Sequence, residues 1–114
     1  MMDEKVKQAI RQHALEELPY ECCGLLVSNE KGDAQVFKCK NGSKLNRKEH
    51  FSISPEEYLV ATSIGRVSAM YHSHPTSYQE AQFSQFDEQA SQSHNIKSVL
   101  YDIKSNTFLE HEPK

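Results

Sequence analysis

At 114 residues the chain is the size of one ordinary domain, able to bury a core of several elements but too short for two. Its formal charge of -3, with acidic and basic residues spread along the chain and no polybasic run, argues against a phosphate-seeking nucleic-acid surface. No apolar run approaches a membrane span. The opening Met1-Met2-Asp3-Glu4-Lys5 has neither the basic segment nor the apolar core of a secretory signal, so a soluble, cytoplasmic protein is expected. An odd number of cysteines, with Cys22 and Cys23 adjacent and no C-x-x-C pair, points to reduced thiols rather than a disulfide framework or a cysteine zinc site.

Met2, Val6, Ala9, Ile10, His13, Ala14 and Leu18 recur at three- and four-residue steps, which predicts an amphipathic helix over residues 3 to 18, stopped by Pro19. Cys22 to Val27 reads as a strand buried on both faces, Asn29 to Asp33 as a turn, and Ala34 to Cys39 as the returning strand. A polar loop opens at Asn41-Gly42-Ser43 and runs to about His50. Phe51-Ser52-Ile53 alternates as a brief strand would, and Ser54-Pro55-Glu56-Glu57 supplies an N-cap, a first-turn proline and a capping-box glutamate for a helix over 55 to 64, ended by Gly65. Val67, Ala69 and Tyr71 alternate with Ser68, Met70 and His72 in a further strand. After a polar connection over Pro75 to Phe83, Ser84 to about Ser93 has helical character with Asn95 as C-cap. Lys97 to Ile103 and Thr107 to His111 predict a closing hairpin. This order implies an α+β arrangement in α/β/α layers around a central mixed sheet, in a single domain over 1 to 114.

The densest chemical signal is His72-Ser73-His74-Pro75 followed by Ser84 and Asp87. Two histidines one residue apart lie on the same side of an extended strand. With Asp87 they make three ligands, the number a catalytic zinc takes while leaving its fourth position open. Asp87 has a competing reading, since Ser84-Gln85-Phe86-Asp87 is also a helix-capping pattern, and a side chain turned back to cap is not free to hold a metal. Ser84 can start the helix through its backbone while its hydroxyl points at the site. Glu21 gains a role only if the fold brings it beside the metal, where a carboxylate would act as general acid-base. Cys22 and Cys23 as nucleophiles are the weaker alternative, because both sit in an apolar strand where packing is the commoner use. His50, Glu80, Glu88 and His94 are further ligand types without informative spacing.

Taken together, Glu21, His72-Ser73-His74-Pro75 and Ser84-Gln85-Phe86-Asp87 resemble the JAMM signature of the JAB1/MPN/Mov34 metalloprotease family: an upstream Glu, then H-x-H-P, then S-x-x-D. Leu18-Pro19-Tyr20-Glu21-Cys22-Cys23-Gly24-Leu25-Leu26 is similar to the P-x-E-x-C-G-L stretch of prokaryotic members, as are Cys39-Lys40-Asn41, Phe51-Ser52-Ile53 and the strand before His72. The likeness spans about residues 3 to 110 and is greatest to the bacteriophage tail-assembly, protein K-like branch. There the JAMM domain commonly precedes an NlpC/P60 cysteine-peptidase domain, which these 114 residues do not contain. The connection of nine residues between His74 and Ser84 is longer than usual for the family, and Phe83 stands where proline is frequent.

The resemblance implies a cytidine-deaminase-like α/β/α fold, Zn2+ held by His72, His74 and Asp87, Glu21 as acid-base and Ser84 stabilising the oxyanion. It implies hydrolysis of a peptide or isopeptide bond in a protein or peptide substrate, linked to phage tail assembly or cell-wall entry, with tail proteins as partners. Two alternatives stand beside it: a non-catalytic tail-assembly scaffold, and a bacterial protease that processes a ubiquitin-like sulfur-carrier protein.

Overall fold

The computed structural model describes residues 2–75 and 82–113. Asp3 starts helix α1 (Glu4–Glu17) by accepting the Val6 amide at 2.9 Å, which satisfies one of the donors a helix start leaves without a partner. Val6, Ile10, His13 and Ala14 form its buried stripe. Leu18, read as the end of that stripe, is instead the C-cap and is 45% exposed, because Pro19 cannot continue the turn that would carry it inward.

Strand β1 (Cys23–Ser28) is buried along all but its last residue, as a strand covered on both faces must be. A turn joins it to β2 (Ala34–Cys39); there the Asn29 side chain accepts the Lys31 and Asp33 amides, and Gly32 takes a φ of +85° that a side chain would resist. The brief strand expected at Phe51-Ser52-Ile53 does not form. The Ser52 amide goes to the Asn41 side chain and its carbonyl to the Gly42 amide, so no ladder is built, while Phe51 and Ile53 pack into the core.

Ser54 caps α2 (Pro55–Ile64) by accepting the Glu57 amide at 3.1 Å. The Glu57 carboxylate accepts the Lys40 amide at 3.1 and 3.2 Å, which ties the end of β2 to the start of α2. Strand β3 (Arg66–His74) carries the histidine pair, and α3 (Gln85–His94) follows, ended by Asn95 at a left-handed φ of 52°. The hairpin of β4 (Lys97–Asp102) and β5 (Thr107–His111) forms as expected, its turn held by the buried Asp102 carboxylate, which accepts the Ser105 amide at 3.1 Å. Within the connection from Pro75 to Phe83, residues 76–81 lie outside the described residues.

The sheet order is β2-β1-β3-β4-β5, antiparallel except for β3 beside β4. A parallel pair cannot be joined by a tight turn, and α3 lies in the crossover. One face buries Val6, Ile10, Ala14, Cys22, Leu26 and Tyr71 beneath α1; the other buries Cys23, Leu25, Val27 and Met70 with Ala61 and Tyr58 of α2. Tyr58 stacks on His94, which joins α2 to α3 on that second face and completes an α/β/α sandwich. No helix among the described residues is long and apolar enough to cross a membrane.

Tyr71 organises the α1 face. Its ring is fully buried, and His13 Nδ1 lies 2.7 Å from its hydroxyl, so neither polar group is stranded in the core. The ring covers its register partner Gly24 so closely that a β-carbon there would come within 2.4 Å of it. Gly24→Ala should therefore cost about 1–3 kcal/mol by overpacking, read as a lower urea midpoint at unchanged slope. Burial lowers the His13 pKa from 6.5. A depressed folded pKa means the unfolded chain takes up the proton first, so stability is complete above 6.5 and falls as pH drops through the folded value. His13→Gln, which keeps a polar partner for Tyr71 but does not titrate, should flatten the decline of the urea midpoint between neutral and mildly acidic pH.

Candidate metal centre

His72 and His74 end β3 on the sheet face covered by α2 and α3, with Ser73 turned the other way, as the period of a strand requires. The β1–β3 register places Cys23 opposite His72. One step further, the Ser73 amide donates to the Cys22 carbonyl at 3.2 Å and the Cys22 amide donates to Ser73 Oγ at 2.9 Å. Glu21 thereby follows Cys23 onto the histidine face, fully buried. One carboxylate oxygen of Glu21 and one nitrogen of each imidazole all lie within 4.8 Å of one another.

Asp87 arrives from the first turn of α3. The Asp87 amide donates to Ser84 Oγ at 3.1 Å and the Ser84 amide donates back to Asp87 Oδ2 at 2.8 Å, a complete capping box. The same Oδ2 lies 3.2 Å from Nε2 of both His72 and His74. Capping and facing the histidines are therefore not alternatives, as the sequence had suggested. The cap fixes the carboxylate in the orientation that meets the imidazoles. Ser84 also differs from expectation, since its hydroxyl oxygen, and not its backbone alone, starts the helix. The long connection after His74 does not displace α3, consistent with the small entropic effect of a few added loop residues.

The electrostatics suit a cation. Burial by itself raises the Asp87 pKa, but the two imidazoles and the Ser84 amide outweigh it and hold the carboxyl well below its usual range. Burial lowers the His72 pKa against the pull of Asp87, which favours the neutral, metal-binding form of the ring. Among the described residues neither nitrogen of the fully buried His72 has a hydrogen-bond partner, and its contact with Asp87 is electrostatic only. A buried polar group normally does not go unmet. Two imidazoles beside two buried carboxylates could hold a divalent metal ion, which would meet Nε2 of His72.

The remaining described sequence candidates are not part of the Glu21, His72 and His74 group. His50 lies in the loop before Phe51, Glu88 and His94 are exposed on α3, and Glu80 falls outside the described residues. All three cysteines are buried; burial pushes Cys22 and Cys39 up to about 12 and Cys23 higher still, which disfavours the thiolate.

Two residues that sequence reasoning passed over support the centre. Phe51 stacks on the His72 ring at 4.5 Å and 15°, fixing a ring orientation that an outer hydrogen bond usually sets at metal-ligating histidines. Buried Asn41 donates to the carbonyls of Glu21 at 3.1 Å and His50 at 2.9 Å, and accepts the amides of Ser43 at 3.1 Å and Ser52 at 3.3 Å. The Glu21 amide in turn donates to the Arg47 carbonyl at 2.8 Å. Glu21 and the loop after β2 are thus one hydrogen-bonded unit. An asparagine opening a polar loop carries no signal of this in sequence.

Residues 3–109 match the model of the prokaryotic homologues of the JAB domain. The chain belongs to that family. Over 74 residues it is 42% identical to the tail tip assembly protein K of Escherichia phage N15, a match covering 65% of this chain and 30% of that protein, so it spans less than a third of that relative's length. Among solved structures, a Desulfitobacterium hafniense protein superposes with a TM-score of 0.73 at 23% identity, over 97% of this JAB-domain chain and 88% of the other. A Salinibacter ruber protein gives 0.56 at 17% identity over 96% and 78%. These two likenesses establish the fold.

Asn41→Ala would strand the carbonyls of Glu21 and His50 and the amides of Ser43 and Ser52. We expect a loss of about 2–3 kcal/mol. Hydrogen exchange checks the local origin: the Ser43 and Ser52 amides should lose protection while the β1 and β3 amides keep theirs.

Proposed function

We propose that this chain is a zinc-dependent metallopeptidase that hydrolyses a peptide or isopeptide bond during phage tail assembly or cell-wall entry. The observation that carries the reading is the convergence of His72, His74 and Asp87 in one buried site with Glu21 beside them. Membership of a family that includes metallopeptidases, and the similarity to a tail tip assembly protein, support it.

His72, His74 and Asp87 would hold the ion. The contacts of 3.2 Å from Asp87 Oδ2 to each Nε2 bring these three donors together. When bound, the metal supplies Lewis acidity, polarising a substrate carbonyl and bringing the acidity of water to a pKa of about 7. Glu21 takes the proton from the attacking water on its carboxylate and passes it to the leaving amine nitrogen as the C–N bond breaks. Ser84 Oγ already accepts the Asp87 amide, which leaves its O–H to donate to the developing oxyanion. Burial of Glu21, His72, His74 and Asp87 strengthens the interactions among them.

A non-catalytic docking module is the second reading. It is favoured by Leu59, Val60 and Ile64 on α2, apolar and 71%, 52% and 52% exposed. Such a module has no use for a full ligand set with an added carboxylate.

Elemental analysis should find one zinc per chain in protein purified without chelators. Hydrolysis of a degenerate peptide library, followed by mass spectrometry, should fall by about a hundredfold or more in Glu21→Gln with zinc retained, whereas His74→Ala should lose both. Protein that takes up no zinc under metal-replete conditions would end the metallopeptidase reading.

A further inference from the structure

The loop over residues 42 to 52 and helix α3 enclose a groove of about 480 Å3. Lys44, Leu45 and His50 line its loop side, and Gln89, Ser93 and Asp87, the residue that also meets both imidazoles, line its helix side. The volume lies within the ~300–1,000 Å3 of pockets that bury ligands of moderate size, enough for a few residues of extended chain.

The charge of the loop opposes that of the molecule. Residues 42 to 52 carry Lys44, Arg47 and Lys48 against Glu49 alone, in a chain of net charge -3. Arg47 is engaged over the Tyr20 ring at 4.7 Å. Lys44 and Lys48 are exposed, and among the described residues neither has an ion pair. On the helix side of the groove Gln89 and Ser93 are uncharged, and the one carboxylate belongs to the metal centre.

The loop is also built in advance. Besides the Asn41 bonds, the Leu45 amide donates to Ser43 Oγ at 3.1 Å, the Lys48 amide to Asn46 Oδ1 at 3.0 Å, and the Glu49 and His50 amides to the Asn46 carbonyl at 3.0 and 2.9 Å. A wall ordered before binding spares the complex that entropy cost. Leu45, 61% exposed at the lip, offers an apolar contact beside the Lys44 charge.

We propose that this groove binds an extended segment of the protein substrate that presents an acidic side chain to Lys44 and an apolar one to Leu45, making residues 42 to 52 the specificity element of the centre. The inference rests on the metallopeptidase reading for its consequence but not for its measurement. A backbone lying in the groove runs beside Asp87, whose Oδ2 is 3.2 Å from Nε2 of both histidines. Nucleic acid is the poorer occupant, because one short cationic loop on an acidic molecule makes few phosphate contacts.

The test titrates 15N-labelled protein with two capped octapeptides of alternating Leu and Glu or Leu and Gln, and with single-stranded DNA of equal charge, while zinc content is measured on the same sample. The Glu peptide should shift the amides of Lys44, Leu45, His50, Gln89 and Ser93. It should bind about threefold or more tightly than the Gln peptide, the gap closing as salt is raised. Lys44→Glu should weaken the Glu peptide by about fivefold and leave the Gln peptide unchanged, with zinc content and the β1–β3 amide spectrum as in wild type. Equal binding of the two peptides, equal binding of the DNA, shifts mapping elsewhere, or no binding by zinc-loaded protein would each overturn the proposal. Selective Glu-peptide binding by protein that takes up no zinc would uphold the groove while ending the peptidase reading.

Discussion

Cys23 lies opposite His72 across the antiparallel β1–β3 pair, and the exchange between Cys22 and Ser73 extends that pairing by one step toward the end of β3. Glu21 owes its position to this register. A slip of one residue would turn it to the opposite face, beneath α1, because side chains alternate along a strand. The pattern around it resists the slip: Cys22 and Leu26 belong to the α1 core, Cys23 and Leu25 to the other, and Gly24 is the residue that the Tyr71 ring covers. The packing that stabilises the sheet therefore also fixes the distance between a carboxylate and two imidazoles that are far away in sequence.

The second constraint is local. A capping box needs a carboxylate at the third position of a helix turned back on the first amide, and in α3 that carboxylate faces the end of β3. One oxygen of Asp87 meets the Ser84 amide and both imidazoles. Helix initiation and the contact with both imidazoles thus share an atom, so the cap holds the carboxylate against the histidines. Phe51 on His72 and Asn41 on the Glu21 carbonyl extend this support outward, one through ring stacking and the other through backbone hydrogen bonds.

Burial sets the chemistry of the other reactive groups. The cysteines lie in apolar surroundings that disfavour their thiolates, so they pack and do not react. The same effect lowers the pKa of His72, in the same sheet row as Cys23, and for an imidazole the neutral form is the one able to bind metal. One physical term, loss of water, disfavours the charged form of both a thiol and an imidazole.

Local signals in the sequence were sufficient for the helices, for four strand spans close to their observed limits, and for the histidine pair, because caps, prolines, glycines and two-residue alternation act within a few positions. They also read α2 and α3 from the serines that start them. Phe51-Ser52-Ile53 failed because its alternation is real but its backbone partner is the Asn41 side chain, a contact between segments that no local pattern records. The two uses of Asp87 looked exclusive in sequence and coexist in space, since only the placement of α3 against β3 shows that one oxygen reaches all three nitrogens. The sequence by itself determined which side chains capable of metal chemistry exist and which elements carry them. Tertiary structure alone decided that Glu21 lies beside them, that Phe51 stacks on His72 and that Asn41 ties the loop after β2 to the Glu21 carbonyl, because each depends on strand register and burial between distant parts of the chain.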